Sequence, residues 1–256
     1  MLFNEKEKIV TPTSGIFLHN FNPSTHKYSF NLSGNIKIGN IASFSTLMGD
    51  YTYKGMDKEL KDIKGTCQNC ECCKKSCYVR ASYRFPSVIF SQAVNTWGIR
   101  NELEKVEQDL AEQLTKLNIN IVRLNQSGEI ENAEQFAMWC RLAEHFSNVK
   151  FYIYTKMYSI VEPFLKNGSV PSNFTINYSI WHDVGVKEFK KVEKYTNVKA
   201  FIYDDGVNLN LHPVVYCPAY TKTNGEKKAK MNHKITCENC RLCIDKKINI
   251  IGCLDH

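Results

Sequence analysis

Apolar positions follow two rhythms along this chain. Val88, Ile89, Ala93, Val94 and Trp97, and then Leu103, Val106, Leu110, Leu114 and Leu117, recur at spacings of three and four, the interval that lines one stripe of an α-helix. Gly98 is expected to separate these two helices. Short β-branched runs alternate with further helical stretches downstream. Strands are expected over 119–124, 149–154, 174–180 and 198–203, with 214–216 a last one, and helices over 131–146, 156–167 and 186–195. Upstream, 36–38 and 41–45 read as one or two strands, whereas 1–33 has little periodicity and reads as an irregular arm or edge hairpin.

Strand and helix therefore take turns, the pattern of crossover units around a parallel sheet. The expected fold is α/β, a partial or complete TIM-like (β/α) barrel over 34–216, with a cysteine-rich segment over 217–256. Reacting groups in such folds gather at the carboxyl ends of the strands. That places chemistry after Ser45, Leu124, Tyr154, Ile180 and Tyr203.

Composition changes this picture at one point. Forty-three per cent hydrophobic and 23% charged residues describe an ordinary globular chain, and a net charge of +7 is too small to name a partner. No apolar run is long enough to span a bilayer, and the charged start MLFNEKEKIV lacks a signal peptide's apolar core. A cytoplasmic location without membrane contact is expected. Eleven cysteines are the exception: five lie between Cys67 and Cys77, five more between Cys217 and Cys253, and Cys140 stands apart on the apolar stripe of a helix, where a core role is expected.

The C-terminal group carries the clearer signal. Cys237, Cys240 and Cys243 are spaced C-x2-C-x2-C, and Cys217 precedes Pro218. Ferredoxins use such a run for three ligands of a 4Fe-4S cluster, with the fourth from a distant Cys before Pro. Cys253 competes with Cys217 for the fourth place. A four-cysteine zinc site is the alternative, although zinc ribbons present two separated pairs. The intervening 222–234 loop has five lysines against one glutamate; it is a solvated loop, a nucleic-acid or host-factor patch, or compensation for cluster charge.

The N-terminal group, Cys67, Cys70, Cys72, Cys73 and Cys77, holds one thiol more than a single centre needs. Cys67, Cys73 and Cys77 with Cys70 or Cys72 form the expected set, either around iron and sulfide or as a structural zinc knuckle. Glu129, after the 119–124 strand, is a candidate amine-binding carboxylate or general base; its alternative role is a first-turn acid of the next helix. Asn125, Gln126 and Ser127 share its rim. Lys156, His182 and Asp183 are further rim candidates, and Asp204-Asp205-Gly206 reads as a turn.

A strand, a cysteine loop ending Cys77-Tyr78, a helical segment and a second strand ending Ser127-Gly128-Glu129 resemble the N-terminal half of radical S-adenosylmethionine enzymes. That resemblance implies a 4Fe-4S cluster on three cysteines and a turn at Asn125, Ser127 and Glu129 that receives the amine of S-adenosylmethionine. Residues 34–256 more closely resemble the phage gene-product-88 family. The features are Asn35–Gly39, Ser43-Phe44-Ser45, Cys67, Cys73 and Cys77-Tyr78, Val122–Glu129, Phe151–Lys156, and the tail from Cys217-Pro218 to Cys243. This implies an iron-sulfur protein of phage type acting in the host cytoplasm, with redox or radical chemistry on an unnamed small-molecule or macromolecular substrate. One departure matters. The radical-enzyme spacing C-x3-C-x2-C is absent, since three positions beyond Cys77 stands Arg80, and a cluster with four protein thiolates has no open iron for methionine.

Overall fold

The computed structural model describes residues 3–4, 9–10, 21–32, 37–55, 57–68, 73, 77–181, 183–204, 210–222, 229–244 and 247–254. It divides into two compact units, which exchange chain segments repeatedly.

The first unit comprises Met1–Phe30, Phe44–Leu117 and Asn125–Met138. Its strands are β1 (Phe3–Asn4), β2 (Ile9–Val10), β4 (Thr52–Tyr53) and β5 (Ile63–Lys64), in that order in a small sheet; β3 (Ala42–Phe44) belongs to the larger sheet below. Three helices follow, α1 (Val79–Ser82), α2 (Pro86–Asn101) and α3 (Leu103–Lys116). Pro86 at the start of α2 suits a first turn that has no use for its missing N–H. The break between α2 and α3 falls at Glu102 and not at the expected Gly98, which lies inside α2. A Cβ on Gly98 would stand 2.3 Å from the Tyr28 ring, so this glycine makes room for an aromatic ring. Tyr28 and Phe30 are held along α3 because their backbone N–H groups donate to Asp109 at 3.0 Å and Gln113 at 2.6 Å. The arm expected to be irregular is thus packed where residues 21–30 are described, with Phe21, Tyr28 and Phe30 buried.

The second unit comprises Asn31–Ser43, Asn118–Leu124 and Trp139–His256. Along the chain come β6 (Ile121–Leu124), α4 (Ala133–His145), β7 (Lys150–Thr155), α5 (Tyr158–Lys166), β8 (Phe174–Ile180), α6 (Asp183–Val192) and β9 (Val198–Asp204). Then follow β10 (Val215–Tyr216), β11 (Tyr220–Thr221), β12 (Lys230–Met231), α7 (Cys237–Cys240) and β13 (Ile250–Leu254). The large sheet has the order β10-β13-β9-β8-β7-β6-β3, and β10, β13, β9, β8, β7 and β6 pair in parallel. The mixed α/β class is as expected; among the described residues the strand order has two ends, β10 and β3, so closure into a complete barrel is not shown. The strand expected at 36–38 is a turn where it is described. β13, which no sequence signal suggested, sits inside the sheet.

Strand registers separate two sheet faces, because in-register neighbours of a parallel sheet point the same way. Val122, Leu124, Phe151, Ile153, Ile176, Tyr178, Val198 and Ala200 share one face and are all buried. Helices α5 and α6 pack there: the Tyr158 ring lies 4.9 Å from that of Tyr178, and Gly185 stands against Ile180. The other face carries Ile121, Arg123, Tyr152, Tyr154, Thr175, Asn177, Lys199 and Phe201. Parallel sheets normally bury apolar side chains on both faces. Here Arg123, Thr175, Asn177 and Lys199 are buried as well, beneath the cysteine-rich C-terminal segment. No described helix is long and apolar enough to cross a membrane.

Candidate metal centre

Backbone geometry draws the C-terminal cysteines together within the second unit. Helix α7 is a single turn started by Thr236, whose hydroxyl accepts the Asn239 N–H at 3.3 Å. The turn is fastened to residues 37–40 because Cys237 N–H donates to the Lys37 carbonyl at 2.8 Å and Asn40 N–H to the Glu238 carboxylate at 3.0 Å. Gly39, at φ +72°, permits that approach, since a Cβ there would lie 2.5 Å from the Glu238 carboxylate. Arg241 takes the left-handed φ of 57° and turns the chain between Cys240 and Cys243. Cys243 is then fixed to the polar sheet face, where the Asn177 amide donates to its carbonyl at 3.3 Å. From the opposite end of the segment, Cys217 N–H donates to Gly252 at 2.7 Å, which sets Cys217 beside Cys253 on the adjacent strand.

Cys217, Cys237, Cys240, Cys243 and Cys253 carry free thiols. Cys237 and Cys243 pack on the cluster of Ile41, Ile121, Tyr152 and Ile244, and Cys217 packs on that of Ala219, Tyr220, Ala229 and Cys253. Their charges act on one another. Burial first, and then the neighbouring Cys237 and Cys217, push the Cys243 thiol up to about 12 against the hydroxyl proton that Tyr154 donates to it. Cys240 is likewise raised by burial, with Cys217 and Cys237 adding to it. Cys253 donates its S–H to Cys217, which lowers the Cys217 thiol and raises that of Cys253. Lys37 favours the same Cys217 thiolate. Burial opposes the charge on Lys37, but Cys253, Tyr220 and Cys217 outweigh it and hold the ammonium above the ordinary lysine range. As they stand, no three described His, Cys, Asp or Glu side chains meet closely enough to grip a single metal ion. Cys237 and Cys243 thus lie on one buried cluster, and Cys217 and Cys253 on another.

The N-terminal cysteine loop lies in the first unit, with Cys67, Cys73 and Cys77 described and Cys70 and Cys72 outside the described residues. A Cβ on Gly49 would touch that of Cys67 at 2.4 Å, and Cys77 Sγ stands 3.1 Å from Met48 Sδ. The turn after β6 is tied to the same loop. Glu129 N–H donates to Thr66 Oγ1 at 2.7 Å, Thr46 N–H to the Ser127 carbonyl at 3.0 Å, and Tyr78 donates its hydroxyl to the Gln126 carbonyl. Ser127 Oγ also donates to Gln92 at 3.0 Å. The structure therefore brings Asn125, Ser127 and Glu129 beside Cys67 and Cys77. Asn125 has φ 49° and is 5% exposed, and neither atom of its amide has a hydrogen-bond partner among the described residues. The Glu129 carboxylate is buried too.

Other candidates fall elsewhere. Cys140 is buried on α4, and burial pushes its thiol up to about 12, consistent with a core residue. Lys156 directly follows β7, while His182 is outside the described residues. Asp204 ends β9 and accepts the Tyr216 hydroxyl at 2.7 Å; Asp205 and Gly206, like 223–228 of the basic loop, are outside the described residues. A cavity of about 360 Å³ lined by Phe189, Glu193, His212 and Lys247 among others, with no cysteine in its lining, opens at the amino end of β13. Lys37, Arg123, Tyr154 and Asn177 were not singled out from sequence. The available signal was polar residues recurring every second position in strands of a parallel sheet.

The family model of gene product 88 matches residues 32–246. No curated protein and no solved structure matches the chain.

Proposed function

We propose that this chain, which belongs to the gene product 88 family of phage proteins, is an iron-sulfur protein. In this reading Cys217, Cys237, Cys240 and Cys243 hold one 4Fe-4S cluster, and Cys67, Cys73 and Cys77 hold another, whose fourth iron is taken either by Cys70 or Cys72 or by S-adenosylmethionine. The observation that supports the reading is the C-x2-C-x2-C spacing of Cys237, Cys240 and Cys243, with Cys237 and Cys243 packed on one buried cluster and Cys217 beside Cys253 on another. Cys217 suits the fourth place, since its charge reaches Cys240 and Cys243, whereas Cys253 serves as its hydrogen-bond donor. Once bound, the cluster supplies one-electron redox chemistry. The protein's own part is to gather the thiolates, hold the Cys243 sulfur through the Tyr154 hydroxyl, and cover the site with the tail.

A cofactor role for Asn125, Ser127 and Glu129 deepens this reading at the first centre. A buried amide without hydrogen bonds is unfavourable by about 1–3 kcal/mol, and Asn125 carries one beside a buried carboxylate. The carboxylate of S-adenosylmethionine would satisfy the Asn125 amide, and Glu129 would lie beside its ammonium. Chelation of that methionine requires an iron that no fourth cysteine occupies.

Anaerobic purification followed by absorption spectra and a count of iron, zinc and sulfide tests the proposal. Brown protein with iron and sulfide in equal amounts is the expected result; colourless protein holding zinc alone would end the iron-sulfur reading. Adding S-adenosylmethionine to the dithionite-reduced protein should change its electron paramagnetic resonance spectrum, and Glu129→Gln should weaken that change. An unaltered spectrum would leave electron transfer or a structural role for the first centre.

A further inference from the structure

At one edge of the large sheet two thiols stand side by side. β10 and β13 run parallel, with Val215 in register with Ile251 and Tyr216 with Gly252, and the Cys217 N–H continues that ladder by donating to the Gly252 carbonyl at 2.7 Å. Cys217 therefore lies opposite Cys253. Neighbouring strands run about 4.8 Å apart and their register partners point to the same side, which falls inside the window of about 4.4–6.8 Å between Cα atoms that a disulfide spans without backbone movement. Both thiols are free. They pack on one cluster with Ala219, Tyr220 and Ala229, and a hydrogen bond joins the two sulfurs. Their access to solvent differs: Cys253 is 3% exposed, whereas Cys217 is half-buried. The edge itself is lightly held, since β10 is two residues long and its Val215 and Tyr216 are 36% and 48% exposed.

We propose that Cys217 and Cys253 form a redox-active dithiol, which closes to a disulfide by exchange with a low-molecular-weight disulfide of the glutathione class and fastens β10 to β13. The Cys217 thiolate attacks one sulfur of oxidised glutathione, breaking its S–S bond and releasing one glutathione; the Cys253 thiolate then attacks the Cys217 sulfur of the mixed disulfide and releases the second. Two protein thiols lose two electrons, one glutathione disulfide gains them, and the two thiol protons leave on the departing glutathiones. Access sets the order, because Cys217 is the sulfur that a dissolved oxidant reaches, while Cys253 resolves the mixed disulfide from inside. The bridge closes residues 217–253 into a covalent loop, which restricts the unfolded chain and so favours the folded one. It needs two thiols and no metal, and therefore does not rest on the iron-sulfur reading; a bridged Cys217 has no thiolate to offer an ion.

The test uses the full chain, treated with a chelator, as wild type, Cys217→Ser and Cys253→Ser, each equilibrated with mixtures of oxidised and reduced glutathione and then quenched by alkylation. Trypsin places Cys217, Cys243 and Cys253 on separate peptides, apart from the one that carries Cys237 and Cys240, so mass spectrometry reads each thiol's partner directly. Wild type should yield the peptides 200–222 and 248–256 joined by a disulfide that opens again in excess reduced glutathione. Cys253→Ser should stop with glutathione on Cys217, and Cys217→Ser should leave Cys253 a free thiol. Bridged wild type should melt about 5–10 °C above its reduced form, with no such rise in either variant treated identically. Wild-type thiols that stay reduced, a Cys217 that stays a mixed disulfide, or one joined to Cys237, Cys240 or Cys243 would overturn the proposal. So would the same bridge at equal yield in urea-unfolded chain, where only chance brings the thiols together. The wild-type peptide map decides the matter whether or not a serine variant folds. Metal content, measured before the chelator is added, bears on the iron-sulfur reading alone: a chain that never carries metal ends that reading and leaves the bridge standing.

Discussion

Cys217 is the thiol whose surroundings favour ionisation most clearly, since Cys253 donates a hydrogen bond to it and Lys37 lies nearby. A pKa lowered in the folded state means that thiolate is present at pH values where ordinary cysteines are still protonated, and thiolate is the form that reacts. In metal-stripped protein near neutral pH, iodoacetamide should therefore modify Cys217 before Cys243 or Cys140, whose thiols burial raises. Cys253→Ala should slow that reaction, because the donor is gone; peptide mass spectrometry reads both rates. Metal loading should protect Cys217 altogether. Gly128 gives a second prediction at this scale. Its φ of +81° lies in the left-handed region, and a Cβ there would meet Thr46 Oγ1 at 1.9 Å and the Thr46 carbonyl at 2.9 Å. Gly128→Ala should destabilise the protein by about 3 kcal/mol in urea unfolding, combining backbone strain with displacement of the Thr46 backbone.

Among the elements, one side chain ties the end of α4 to the loop before β8. The Asn173 amide donates to the carbonyls of Ala143, Phe146 and Val149 at 2.8, 3.1 and 2.7 Å. These are carbonyls at and beyond the end of a helix, where no further turn supplies donors. Asn173→Ala should lower stability by about 2 kcal/mol without altering metal content; a change of less than about 0.5 kcal/mol would mean that water replaces the amide fully. The elements also divide clearly by how readily sequence pattern reveals them. β8 was expected at 174–180 and occurs at Phe174–Ile180, because its alternation is regular. β13 escaped notice because Ile250–Leu254 is short, interrupted by Gly252 and Cys253, and placed among cysteines that drew a different reading.

At the scale of the second unit, the tail and the sheet form one structure. β13 lies between β10 and β9, the Asn177 amide holds the Cys243 carbonyl, and Phe201 packs on the cluster of Ala219, Tyr220, Ala229 and Cys253. Metal held by the tail should thus stabilise the sheet by mass action, since a ligand set assembled only in the folded state stabilises that state. Removing metal with a chelator should lower the melting temperature and open the 217–244 segment to trypsin, which has Lys222, Lys230, Lys234 and Arg241 to cut at. Cleavage at the same rate with and without metal would show that the tail packs independently of it.

Spacing alone made the C-terminal motif, the crossover pattern and most helices and strands of the second unit legible, because helical and strand periodicities and the reach of a C-x2-C-x2-C turn are local properties. The partial legibility of the candidate site has the same origin. Asn125, Ser127 and Glu129 follow a recognisable strand, whereas Lys37 and Arg123 lie far from the C-terminal cysteines along the chain, and no local rule connects them. Whether a parallel sheet closes depends on the twist and number of strands it accumulates, and which thiols become neighbours depends on where β13 inserts. Both are long-range packing outcomes: chain pattern specified the donors and the strands, while only the folded sheet decided where β13 inserts and that Arg123 and Asn177 are buried on one sheet face.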